Sequence, residues 1–91
     1  MKKRALTKPI LRREAKGRDQ ALKRIHEVAR DGTKLLALSS LAIDELPAEL
    51  FELEQLEELS LYGNDLRTVP EGLEKLPNLQ SLDLTRNELT E

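Results

Sequence analysis

The apolar residues of this chain follow two different rhythms, and the rhythm changes near residue 33. The first rhythm is the i, i+1, i+4, i+7, i+8 spacing of one helical stripe, formed by Ala21, Leu22, Ile25, Val28 and Ala29. Arg30 would then lie in the last turn, and Gly32 would provide a C-terminal stop. The pattern predicts an amphipathic helix over residues 17–32.

The second rhythm is a strict alternation in three short stretches, Leu36-Ala37-Leu38, Leu59-Ser60-Leu61 and Leu82-Asp83-Leu84. Successive side chains of a strand point to opposite faces, so the leucines of each stretch share one face. The alternation therefore predicts three short strands with their leucines inward and the residues between them outward.

These stretches belong to a repeat with a period of 23 residues. Five residues of the middle unit, Leu56, Leu59, Leu61, Asn64 and Leu66, recur as Leu79, Leu82, Leu84, Asn87 and Leu89. A fixed period of this length indicates a solenoid, in which each unit buries its apolar side against its neighbours. The predicted units are residues 33–55, 56–78 and a partial unit, 79–91.

Two residue types mark the ends of the predicted strands and the start of the outer segments. Asn64 and Asn87 follow the strands, where a buried amide can satisfy backbone groups that the turn leaves unpaired. Pro47 and Pro70 precede the outer segments 48–53 and 71–76. Proline suits the first position of a short helix or helical turn, so we predict such a turn after each of them.

Charge divides the chain at nearly the same place as the apolar rhythm. Residues 1–34 hold 12 Lys+Arg and 4 Asp+Glu, whereas residues 35–91 hold 3 and 13, which together give the net charge of −2. Residues 1–16 are basic, poor in apolar residues and contain Pro9, and we interpret them as a flexible arm. Binding of nucleic acid or an anionic membrane surface through this arm is disfavoured, because no aromatic residue is interleaved for base stacking and the body is acidic.

Several kinds of chemistry have no support in the sequence. The chain has no cysteine, a single histidine, His26, and no apolar run of membrane-spanning length. It also has no glycine-rich phosphate loop and no nucleophile beside a matched base. We therefore predict no enzyme activity, no cofactor and no metal, and a cytoplasmic location, since no secretory signal is present.

The middle unit carries a recognisable motif. The segment from Leu56 to Pro70, LEELSLYGNDLRTVP, resembles a leucine-rich repeat of the 23-residue kind, LxxLxLxxNxLxxLP. The first unit departs from it, with Thr33 at a leucine position and Leu41 at the asparagine position. The helix and first unit together resemble the start of bacterial leucine-rich repeat proteins, some of which are the N-terminal parts of Roco-type GTPases. The resemblance implies an α/β, right-handed solenoid with an N-terminal capping helix and about three short parallel strands.

The resemblance also implies a concave face built by the strands, on which another protein binds. By register, we predict contact residues at Ser39, Glu58, Ser60, Tyr62, Asp83, Thr85 and Arg86. Tyr62 is the outward aromatic residue of this set, and tyrosine is favoured in binding hot spots because it offers area with little rotamer freedom. The simpler interpretation is an isolated surface tyrosine. The alternative function is a regulatory or structural segment of a larger signalling protein, without independent activity.

The last unit stops short of an outer segment, which would leave Leu82, Leu84 and Leu89 uncovered on one side. Three explanations remain open at this point. The chain is a fragment of a longer repeat protein, it self-associates through this end, or its last unit is weakly ordered.

Overall fold

The computed structural model describes the backbone of residues 9–90 and the side chains of residues 16–90. In this part of the chain one helix, α1 (Pro9–Asp31), precedes three short strands, β1 (Leu35–Ala37), β2 (Glu58–Ser60) and β3 (Ser81–Asp83). Two 3-10 helices, Ala48–Glu52 and Leu73–Lys75, lie between successive strands. The predicted α/β architecture, a helix followed by three strands, is confirmed.

The three strands form one parallel sheet in the order β1-β2-β3. Leu36 pairs with Leu59, and Leu59 pairs with Leu82, so each strand aligns with the residue 23 positions further along the chain. The period read from the sequence is therefore the register of the sheet. Each strand begins and ends one residue earlier than the alternation predicted.

Leucines from successive units make one continuous core behind the sheet. Leu36, Leu38, Leu59 and Leu61 are fully buried, as the alternation predicted. Burying a leucine contributes roughly 1.5–3 kcal/mol relative to leaving it exposed. The third unit is less covered, because Leu82 is 36% exposed and Leu84 and Leu89 are half-buried.

Helix α1 lies against the first unit with a narrower stripe than the sequence predicted. Ala21, Ile25 and Val28 are buried within the leucine core, whereas Leu22 is half-buried and Ala29 is exposed. The amide of Gly32 (φ 71°) donates to the carbonyl of Val28 at 2.8 Å, which closes the last turn in the left-handed conformation that glycine favours. Among the described residues, neither α1 nor any other helix is long and apolar enough to cross a membrane.

The start of α1 differs from the prediction. Residues 9–16, which we interpreted as part of a flexible arm, are helical, and the other half of that arm, residues 1–8, lies outside the described residues. Proline is tolerated in the first turn of a helix, and Pro9 is the first residue of α1 rather than part of an irregular segment. The predicted helix begins at Gly17, yet this residue lies inside α1 and is buried.

The buried glycine in α1 has a packing reason. A Cβ added at Gly17 would overlap the carbonyl oxygen of Leu41, so only glycine lets the helix approach the first unit this closely. Leu41 occupies the asparagine position of the repeat. The departure of the first unit from the motif therefore coincides with the place where α1, rather than another repeat, packs on it.

The two outer segments begin differently. The first 3-10 helix directly follows Pro47 (φ −63°), which is fully buried, in agreement with the predicted role of proline. The second 3-10 helix lies within the predicted outer segment 71–76 but begins at Leu73, three residues after Pro70, and a turn at residues 71–72 separates the two. Gly72 precedes it at φ 107°, and a Cβ there would lie 3.1 Å from the ring of Phe51. Phe51 in turn packs against the leucine core.

Candidate functional site

The solvent-facing side of the three strands forms a small surface, here called the strand face. It comprises three rows that run across the sheet in register: Leu35, Glu58 and Ser81, then Ala37, Ser60 and Asp83, then Ser39, Tyr62 and Thr85. The third row continues the same register beyond the strands, because the amide of Ser40 donates to Tyr62 and that of Gly63 donates to Thr85. The parallel sheet thus places residues from three separate units side by side.

Six of the seven predicted contact residues lie within these rows. They are Ser39, Glu58, Ser60, Tyr62, Asp83 and Thr85. The seventh, Arg86, follows Thr85 at a positive φ of 59°, so it lies in the turn that ends the third row. The structure therefore brings the predicted residues into one neighbourhood.

The middle of the strand face is lined by small hydroxyl side chains that are already partnered. The Oγ atoms of Ser39 and Ser60 lie 3.1 Å apart and share a hydrogen bond between neighbouring units. Both side chains are half-buried. This bond fixes the positions of the two hydroxyl groups, so the middle of the strand face consists of short side chains.

Asp83 is held in one orientation by its neighbour in the same unit. Its Oδ1 accepts hydrogen bonds from the Thr85 hydroxyl at 2.6 Å and from the Thr85 amide at 2.9 Å. Both bonds favour the ionised carboxylate, and they lower the pKa of Asp83 below its ordinary value of 3.8. Asp83 thus presents a negative charge in a defined orientation on an exposed side chain.

Two large side chains rise from the strand face. Tyr62 is 40% exposed, and Leu35 is 55% exposed. The sequence pattern pointed to Tyr62 because it stands one residue beyond an inward leucine. Leu35 was not among the predicted site residues, although the same rule places it outward, one residue before Leu36.

The first edge of the strand face is closed by α1. The guanidinium of Arg24 donates from Nη1 to the carbonyl oxygen of Ala37 at 3.0 Å, so it occupies a backbone acceptor of the first strand. Beside the face, Lys34 and Glu57 form an ion pair at 3.5 Å. Arg24 gave no signal in the sequence, because a charged residue at the margin of a helical stripe is ordinarily solvated.

Beneath the strand face, two asparagines hold the turns of adjacent units together. Asn64 donates from Nδ2 to the carbonyls of Leu38 at 2.8 Å and Leu61 at 3.0 Å. Its Oδ1 accepts from the amides of Leu41 at 3.0 Å and Ile43 at 3.1 Å. All four bonds are to backbone groups, and two of the units contribute them.

Asn87 repeats part of this pattern one unit later. It donates to Leu61 at 2.9 Å and Leu84 at 3.0 Å, and accepts from the amide of Leu66 at 3.0 Å. Each asparagine therefore reaches back to the unit before its own. The first unit has leucine at this position, and there α1 packs where an earlier unit would otherwise stand.

The groups on the strand face are suited to hydrogen bonding, ion pairing and apolar contact with another molecule. It offers hydroxyls, two carboxylates, a phenol ring and an exposed aliphatic side chain on a hydrogen-bonded backbone. His26 lies on α1 and is exposed. Within residues 16–90, no three His, Cys, Asp or Glu side chains are grouped so that they could hold a metal ion.

A stack of short repeats with an outward strand surface defines a class of protein, the repeat modules that present a binding face. Residues 32–89 match the family model described as leucine rich repeat, which is more than half of the chain. The chain therefore belongs to the leucine-rich repeat family, whose members are typically non-catalytic modules for protein interaction.

One curated relative comes from mouse, the leucine-rich repeat and calponin homology domain-containing protein 1. It is 42% identical to this chain over 53 residues, which are 58% of this chain and 8% of the mouse protein. The chain thus matches only a small part of that relative's length. The Roco-like type of repeat stays a prediction.

Proposed function

We propose that this chain binds a partner protein through the strand face, as a non-catalytic interaction module. The observation that carries the proposal is the position of Tyr62, a large exposed side chain among small, hydrogen-bonded neighbours on a paired backbone. A surface that is already rigid loses little conformational entropy when a partner binds it. Tyrosine adds contact area and a hydrogen-bonding hydroxyl at the cost of few rotamers.

The size of the strand face sets the kind of contact that we expect. Three strands about 5 Å apart span roughly 10–15 Å, whereas a stable interface covers about 800 Å² on each partner. The strand face supplies the centre of such an interface rather than the whole of it. The adjoining exposed surface of α1, where Gln20, Lys23, Arg24 and Glu27 line a shallow depression, extends it on one side.

This proposal concerns the strand face and holds whether the chain acts alone or as a segment of a longer protein. The experiment begins with a pull-down that uses the chain as bait, followed by a calorimetric titration of the captured partner. We expect Tyr62→Ala to weaken the affinity by about tenfold or more, the effect of losing a central contact residue. Glu58→Lys, which inverts a charge on the same surface, is expected to weaken it as well.

The control is Val69→Ala, because Val69 is an apolar side chain of similar exposure, 46%, that lies outside the strand face. We expect this variant to bind with unchanged affinity. Urea unfolding of all three variants establishes that they remain folded. Full affinity in folded Tyr62→Ala and Glu58→Lys would show that the partner binds elsewhere.

A further inference from the structure

The strand face carries charge of one sign only. Its three rows contain two carboxylates, Glu58 and Asp83, and no lysine, arginine or histidine. Neither carboxylate forms a salt bridge with any of the residues that the structure describes. Carboxylates are ionised at neutral pH, so the face is negative there.

Two of the three cations closest in sequence or register to the strand face already have partners. Lys34 is paired with Glu57 at 3.5 Å, and Arg24 donates to the Ala37 carbonyl at 3.0 Å. Arg86 lies in the turn beyond Thr85, at the end of the third row. The repeat units that carry the face have the same sign as the face, since residues 35–91 hold 13 Asp+Glu and 3 Lys+Arg, whereas α1 at the first edge carries Lys23 and Arg24.

The two exposed large side chains complement these carboxylates. Leu35 is paired in register with Glu58, and Tyr62 lies in the row next to Asp83. Arginine and lysine each combine an apolar stem with a cationic head, so they match a surface that offers apolar area beside carboxylates. A guanidinium also interacts favourably with the face of a tyrosine ring.

We propose that the strand face takes a basic segment of its partner protein, in which arginine or lysine side chains pair with Asp83 and Glu58 while their stems pack on Tyr62 and Leu35. This inference rests on the proposed function and adds the chemistry of the partner. Electrostatic complementarity steers association and excludes partners of like charge. Nucleic acid and anionic lipid surfaces are therefore repelled by this face, and a basic protein segment is favoured.

The test uses the full chain labelled with ¹⁵N and two short peptides that alternate arginine with serine or glutamate with serine. We expect the arginine peptide to shift the amide signals of residues 58–62 and 81–85, and the glutamate peptide to leave them unchanged. Exposed charge pairs are individually weak, so Glu58→Gln and Asp83→Asn are each expected to weaken binding by about three- to fivefold. Raising the salt concentration should weaken it as well.

The matched control is Glu52→Gln, which removes the same charge from the first 3-10 helix, away from the strand face. We expect it to have no measurable effect on binding. Equal weakening by Glu52→Gln and Asp83→Asn, shifts confined to the outer segments, or equal binding of both peptides would overturn the proposal. The proposal would also be overturned if the amide signals of the strand face shifted when salt was added but not when the arginine peptide was added. That result would mean that a charged group of the same chain already occupies the face.

The failure of this inference is distinguishable from failure of the proposed function. If the peptides give any of those contrary results while Tyr62→Ala still disrupts binding of the captured partner, the strand face binds a partner of different chemistry. If Tyr62→Ala leaves partner binding intact, the proposed function itself fails.

Discussion

Replacing Asn64 with alanine removes the side chain that joins the first two units behind the strand face. Asn64 is 3% exposed, and its carboxamide makes four hydrogen bonds of 2.8–3.1 Å to backbone groups. Alanine would leave two amides and two carbonyls of the turns without these bonds, and it would also remove a longer contact of 3.5 Å to the carbonyl of Tyr62. Water has little access to the site, so it does not replace the lost bonds without local rearrangement.

The magnitude follows from those four bonds. A hydrogen bond contributes about 1 kcal/mol net to stability, and a buried group left unpaired costs about 1–3 kcal/mol. We therefore expect Asn64→Ala to lower the free energy of unfolding by about 4 kcal/mol. Total stabilities of natural domains are about 5–15 kcal/mol, so this loss would remove between about a quarter and four fifths of the stability.

The assay is urea unfolding followed by circular dichroism, with Asn87→Ala as the matched control. Asn87 makes three bonds of 2.9–3.0 Å of the same kind, but it is half-buried, so water can replace part of what is lost. We expect Asn87→Ala to cost about 1–2 kcal/mol. The ratio of the two losses in the free energy of unfolding tests whether burial determines how much the carboxamide bonds contribute to stability.

Two results would refute this reasoning. A loss below about 1 kcal/mol in Asn64→Ala would mean that the turns hold together without the carboxamide. An equal loss in both variants would mean that exposure does not determine the cost, contrary to the argument from water access.

Two further predictions concern α1 and the strand face. Gly17→Ala is expected to lower the free energy of unfolding by about 1–3 kcal/mol, because the new Cβ would overlap the carbonyl of Leu41. This net loss is expected even though alanine is the better helix former by about 1 kcal/mol. If the variant were more stable in urea than the wild type, the close approach of α1 to Leu41 would be contradicted. Thr85→Val removes the hydroxyl that bonds Asp83, so the pKa of Asp83 should rise toward its ordinary value in a carboxyl-carbon NMR titration. Because that pKa is lowered in the folded state, its contribution to stability is present above pH 3.8 and is lost as the pH falls through the lowered pKa. An unchanged titration midpoint in the variant would show that the hydroxyl does not set this pKa.

The repeat and its register could be predicted because they follow from a simple periodicity. The spacing that links Leu36, Leu59 and Leu82 in the sequence is the pairing that links them in the sheet. The placement of Tyr62 and Asp83 on one surface follows from the same rule, since residues at equivalent positions lie side by side.

Features that depend on contacts distant in sequence could not be predicted. The pattern gave no indication that Gly17 continues a helix, because the reason is a close approach to Leu41, 24 residues further along the chain. The bond from Arg24 to Ala37 depends likewise on how α1 lies against the first strand. The second 3-10 helix begins directly after Gly72, which has a positive φ and lies beside Phe51 of the preceding unit, and the position of Pro70 alone did not indicate this.

Amide hydrogen exchange tests the stacking of the units most directly. The amides of Leu41 and Ile43 donate to Asn64, and those of Leu38 and Leu61 donate across the sheet, so each of the four depends on a neighbouring unit. We predict that all four are among the slowest to exchange and respond together to added urea, as groups that open only in global unfolding do. Rapid exchange at Leu41 and Ile43, while α1 stays protected, would contradict a shared core and a rigid strand face.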